Sequence, residues 1–108
     1  MPTYNKLVRD LIPQVIEKSG KECTTRILEP KEYLTELKLK MIEEAIEYKE
    51  AEVQKDAVEE LADILELMHA SLAVYGVSYE ELEQIRLSKK EKRGGFSKGI
   101  YLIEVEDV

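Results

Sequence analysis

The sequence predicts a mainly α protein with a small two-stranded β element. Apolar residues recur at helical spacing from Pro30 to Tyr75, helix-capping residues divide the remainder, and only two short stretches read as strands. With 108 residues, 44% of them hydrophobic, the chain makes one domain, residues 1–108, around a small core.

The elements follow in order. Asp10 can cap a first helix that starts at Leu11, with Pro13 tolerated in its first turn and Ser19-Gly20 as its end. Residues 23–28, CTTRIL, are rich in β-branched side chains and read as a strand. Pro30 suits the first position of a second helix that runs to about Val53. No glycine or proline follows until Gly76, yet Asp56 and Glu59 have the spacing of a capping box. The segment therefore reads as a helix hairpin turning near Gln54, with the third helix ending around Gly76. Ser78 and Glu81 form a second box for a fourth helix that reaches about Lys92. After the loop RGGF, residues 100–106, IYLIEVE, are the second strand and pair with residues 23–28.

Charge limits the function. A net charge of −7 and a pI of about 4.8 disfavour a nucleic-acid backbone or an anionic membrane as partner and favour a cation. Cys23 is the single cysteine, so no intramolecular disulfide is expected. Neither a signal peptide nor a long apolar run is visible, and a soluble cytoplasmic protein is the expectation. The acidity is local: between Glu43 and Glu66 ten acids face only Lys49 and Lys55. The opposite bias runs from Arg86 to Lys98, where Glu91 is the lone acid.

On a helical wheel with Leu34 at zero, Leu37, Met41 and Tyr48 cluster about the origin, while Glu44 falls at about 280° and Glu47 at about 220°. Glu44 thus sits on the apolar side, whereas Glu43 and Glu50 read as solvent-facing. In the third helix Glu60 and Asp63 share a stripe with Leu67, Ala70 and Val74. The other side of this helix carries Leu61, Ile64, Leu65, Met68 and Leu72, so the helix is expected to be central, or to lie at an oligomer interface. Each acidic pair is spaced i, i+3, and antiparallel packing brings the pairs level. Four carboxylates at one height need a large rise in pKa or a compensating cation. Mg²⁺ is the economical choice, because it prefers carboxylate oxygens and retained water and commonly bridges to phosphates. Di-iron bundles use a Glu-x-x-His motif, and the single histidine, His69, falls on the polar side. The plainer alternative is a pair of solvated faces with i, i+4 ion pairs.

EEAIE followed after twelve residues by ELAD resembles the E-x-x-E, E-x-x-D signature of the all-α nucleoside triphosphate pyrophosphatase (MazG-like) superfamily. YNKLVRDLIP near the start and KKEKRGGFSKGIYL near the end resemble its short house-cleaning branch, often labelled phosphoribosyl-ATP pyrophosphohydrolase-like. The likeness spans nearly the whole chain, with one departure: Ala62 stands where many relatives have glycine. The resemblance implies a four- to five-helix bundle that hydrolyses the α,β phosphoanhydride of a nucleotide with Mg²⁺, or with Mn²⁺ as a substitute, releasing a monophosphate and pyrophosphate. Carried over by position, Glu44, Glu47, Glu60 and Asp63 are metal ligands, and Glu43 orients or deprotonates water. Lys89 and Arg93, before Gly94-Gly95, become phosphate ligands, although the same run suits a basic helix C-terminus and a plain turn. Lys6 and Arg9 reach substrate phosphate or a neighbouring acid. A homodimer, or a dimer of dimers, is expected. The competing readings are a biosynthetic phosphoribosyl-ATP pyrophosphohydrolase and a non-catalytic helical oligomer that binds nucleotide or metal.

Overall fold

The structure, a computed structural model, describes residues 2–107. It is mainly α, with four helices in this span: α1 Ile12–Lys18, α2 Pro30–Glu50, α3 Gln54–Tyr75 and α4 Tyr79–Arg93. The chain divides between Gly76 and Val77 into two compact units.

The first unit is built on the α2–α3 hairpin. Pro30 occupies the first turn of α2, and the Glu29 N–H donates to the Glu32 carboxylate at 3.4 Å. Arg26 grips that carboxylate with both guanidinium nitrogens, at 3.1 and 2.9 Å, which anchors the incoming chain to the helix start. The hairpin turn comes slightly earlier than the sequence suggests. Helix α2 stops at Glu50, with Ala51 extended at ψ 127°. The Ala57 N–H already bonds to the Val53 carbonyl, at 3.1 Å, so α3 starts at Gln54. Asp56 is therefore inside the first turn, where its charge meets the positive end of the helix dipole, and is not the cap. Three connecting residues leave the helices little choice but to pack as antiparallel neighbours. At the far end Gly76 takes φ +70°, and its N–H closes α3 onto the Ala73 carbonyl.

The core is thin. Leu37 is the one fully buried apolar side chain among the described residues, and Glu44 is buried beside it on α2. No residue of α3 is buried, so that helix is not central within this chain, contrary to the expectation from its composition. Helix α1 also differs at its start. Leu11 is its N-cap and Asp10 makes no cap, because the turn closes through the Ile12 N–H on the Arg9 carbonyl at 3.1 Å. Ser19 and Gly20, at φ +87°, end it as expected.

The second unit holds α4 and the residues after it. The Ser78 hydroxyl accepts the Glu81 N–H at 3.1 Å, as the spacing predicts. Ser78→Ala is expected to cost about 1 kcal/mol, read as a lower denaturant midpoint with an unchanged slope.

The predicted β element is not formed. Among the described residues neither 23–28 nor 100–106 enters a ladder. Ile27 is 94% exposed, and Ile100, Tyr101, Leu102 and Ile103 are exposed throughout. Strand propensity expresses itself only when a second strand supplies hydrogen bonds and a packing face. Here neither stretch finds one.

Candidate metal centre

The i, i+3 spacing within each helix and the level packing of the hairpin converge on one place. One oxygen from each of Glu44, Glu60 and Asp63 lies within 4.8 Å of the others, and a second group, Glu43, Glu44 and Glu47, meets the same limit. Glu44 belongs to both groups and is the most buried of them, at 6% exposure. Glu60 and Asp63 are half-buried and Glu47 is exposed. Glu43, read from the wheel as solvent-facing, is half-buried instead, because the N-terminal arm lies against it.

That arm carries Lys6 and Arg9. Asn5 takes φ +46°, a left-handed conformation that asparagine tolerates better than most residues, and turns the chain just before Lys6. Lys6 Nζ donates to Glu43 Oε1 at 3.2 Å, and Arg9 Nη2 to Asp63 Oδ1 at 2.6 Å. Of the two roles left open by the sequence, the contact with a neighbouring acid is the one seen. Lys40 adds a third cation, 3.6 Å from Glu43 and 3.8 Å from Glu44. Its place was readable as i, i+3 and i, i+4 from those acids, but the sequence reading passed over it.

The charges divide unevenly. The hydrogen bond from Lys6, aided by Lys40, holds Glu43 below its usual range and keeps it ionised. Burial, followed by the facing carboxylates of Glu60 and Glu47, pushes Glu44 up to about 8. The Oε2 atoms of Glu44 and Glu60 are both buried without a hydrogen-bond partner. Two carboxylate oxygens can share a hydrogen bond only if one carries a proton. A bound cation would satisfy such oxygens when the carboxylates are ionised. Orphaned buried oxygens, a donor set made wholly of carboxylates, and water access past exposed Glu47 suit a hard divalent ion such as Mg²⁺ or Mn²⁺.

Lys89 and Arg93 lie on α4 in the second unit, where they line an open hollow with Gln84, Ile85, Ser88 and Lys92. The Gly94 N–H is committed to the Lys90 carbonyl at 2.7 Å, so that amide closes the helix and is not available to a phosphate. His69 is exposed, as the wheel predicts. Among the described residues no single helix is long and apolar enough to cross a membrane. Comparison with family models, with curated proteins and with solved structures gave no match.

Proposed function

We propose that the chain is a divalent-cation-dependent nucleotide pyrophosphohydrolase that cleaves the α,β phosphoanhydride of a nucleoside triphosphate to a monophosphate and pyrophosphate. The observation that carries this reading is the buried, unpartnered oxygen pair of Glu44 and Glu60, with Asp63 beside it. Glu44, Glu47, Glu60 and Asp63 would hold Mg²⁺. When bound, the ion neutralises phosphate charge and lowers the pKa of water. The remaining work falls to the protein's own groups. Glu43, kept ionised by Lys6 and Lys40, is suited to accept a hydrogen bond from a water molecule and orient it. Lys6 and Arg9 can exchange their acid partners for phosphate oxygens once a cation has neutralised the cluster. The order of the acidic, N-terminal and C-terminal motifs in the sequence supports the same reaction class.

Pyrophosphate release across a panel of ordinary and modified nucleoside triphosphates, with Mg²⁺ and then Mn²⁺, tests the reading. The native protein is expected to release pyrophosphate from at least one member, and Glu60→Gln, which keeps the shape but removes the charge, from none. Phosphoribosyl-ATP belongs in the panel, because turnover of that compound alone would assign the biosynthetic reaction. Mg²⁺-dependent stabilisation without any product would leave a binding protein.

A further inference from the structure

The N-terminal arm meets the carboxylate cluster through two cations and has little apolar adhesion to hold it there. Tyr4, Val8 and Leu11 are exposed, Leu7 is half-buried, and α1, into which the arm leads, buries no residue. Its ion pairs, Lys6 with Glu43 and Arg9 with Asp63, are made by side chains that are 52% and 59% exposed. Lys40 differs, because it rises from α2 itself and stays beside Glu43 and Glu44 whatever the arm does. Asp63 is claimed twice. One oxygen accepts the Arg9 guanidinium at 2.6 Å, and one lies within 4.8 Å of oxygens of Glu44 and Glu60, which keep buried atoms without a partner. A guanidinium and a divalent ion on one carboxylate are like charges at close quarters, in a partly buried place where water screens them poorly. Each therefore weakens the other's hold.

We propose that the arm is a counter-ion strap: in the metal-free chain Lys6 and Arg9 stand in for the cation that the cluster lacks, and a divalent ion among Glu44, Glu60 and Asp63 releases them, an inference that rests on the reading of this cluster as a metal centre. Linkage makes the effect reciprocal. The factor by which the strap weakens the ion is the factor by which the ion weakens the strap. Of the two, the strap is the one free to leave, since its anchoring side chains are largely in water and Asn5, at φ +46°, turns the chain just before Lys6. Once released, it carries two cations beside a site whose negative charge is already offset, where the phosphates of a nucleotide are the remaining acids to pair with. The ion comes first and the strap closes on phosphate second.

Two measurements on the full-length protein, neither of them turnover, test this. Trypsin cleaves after lysine and arginine, so the strap carries its own reporters at the Lys6–Leu7 and Arg9–Asp10 bonds. Cleavage after Lys98, exposed and in the second unit, is the internal reference. Mn²⁺ is expected to speed cleavage of the native strap at least about 5-fold relative to that reference. An arm that only braces the fold would instead be cut more slowly, because a bound ion stabilises the folded chain. The second measurement is Mn²⁺ affinity, read from the spin resonance of the free ion. Arg9→Gln is expected to tighten binding at least about 5-fold. Lys31→Gln removes the same charge about 20 Å away from Glu44 along α2 and is expected to leave the affinity nearly unchanged. If Arg9→Gln fails to fold, the cleavage pattern of the native chain still decides. Mn²⁺ binding that ignores Arg9→Gln, an equal gain in Lys31→Gln, or strap cleavage slowed by the ion would overturn the strap and leave the hydrolytic reading standing. Absence of Mn²⁺ binding in both the native chain and Arg9→Gln would overturn the strap and the metal centre together.

Discussion

The metal-free protein is expected to lose stability as the pH rises from about 5 to about 8, the reverse of ordinary acid denaturation. Glu44 has an ordinary pKa of 4.5 and is pushed up to about 8 by burial and by its carboxylate neighbours. Between those values the folded chain keeps the proton that the unfolded chain has released. Stability therefore falls by about 1.4 kcal/mol per pH unit at most while the mismatch lasts. Below the window both states are protonated, and above it both are ionised, so the loss levels off. Glu43 works on the acid side with the opposite sign. Lys6 holds its pKa down, so its contribution is present above the ordinary value and disappears as the pH falls through the lowered one. Together they place the stability maximum of the metal-free chain near pH 5. Mg²⁺ competes with the Glu44 proton, so its stabilising effect is expected to be larger at pH 8 than at pH 6. Urea titrations in a chelator across this range, repeated with Mg²⁺ and in Glu44→Gln, measure both effects. The Gln variant is expected to lose the neutral-pH slope and the response to metal together. A native profile without the slope would show that Glu44 ionises freely, and that no cation is needed at the cluster.

The placement of Glu44 was legible because helical period and apolar spacing are local properties. Leu37 marks the packed side of α2, and Glu44 follows seven residues later, two turns along, so any wheel puts them together. Level pairing with Glu60 and Asp63 needed only the position of the hairpin turn, where an error of a few residues does little harm to two facing helices. The Ser78 box was legible for the same local reason. What failed depended on partners distant in sequence. Residues 23–28 and 100–106 have strand composition, but composition does not supply the neighbour a strand requires, and neither forms one. The arm is a related case. Lys6 and Arg9 were recognisable as cations seeking an acid or a phosphate, yet their choice of Glu43 and Asp63 lies 37 and 54 residues away along the chain. The arm also explains why Glu43 departs from its wheel position: a wheel counts contacts from its own helix and knows nothing of a segment laid across it.

Glu44→Gln and Glu60→Gln are each expected to lower pyrophosphate release at least about 100-fold, since loss even of a residue that only supports a metal ligand commonly costs 10- to 100-fold. The informative variant is the double one. If both carboxylates hold the same ion, the first substitution already removes it, and the second has little left to remove. The double variant is then expected to match the weaker single variant and not to show the product of the two losses. Stability should move the other way. Each Gln takes away one carboxylate with a buried, unpartnered oxygen from a cluster of neighbouring acids, so the metal-free variants are expected to be more stable than the native protein at pH 8. Here too the second substitution should add less than the first, because one neutral partner already relieves the repulsion. Arg9→Gln provides the contrast. It removes a cation that offsets the cluster charge at Asp63, so it should destabilise the metal-free chain and raise KM more than it lowers kcat. Additive losses in the Glu44/Glu60 cycle would mean that the two carboxylates act at separate steps. Unaltered turnover in both single variants would remove the cluster from the reaction, leaving its buried charge to be balanced by the Glu44 proton alone.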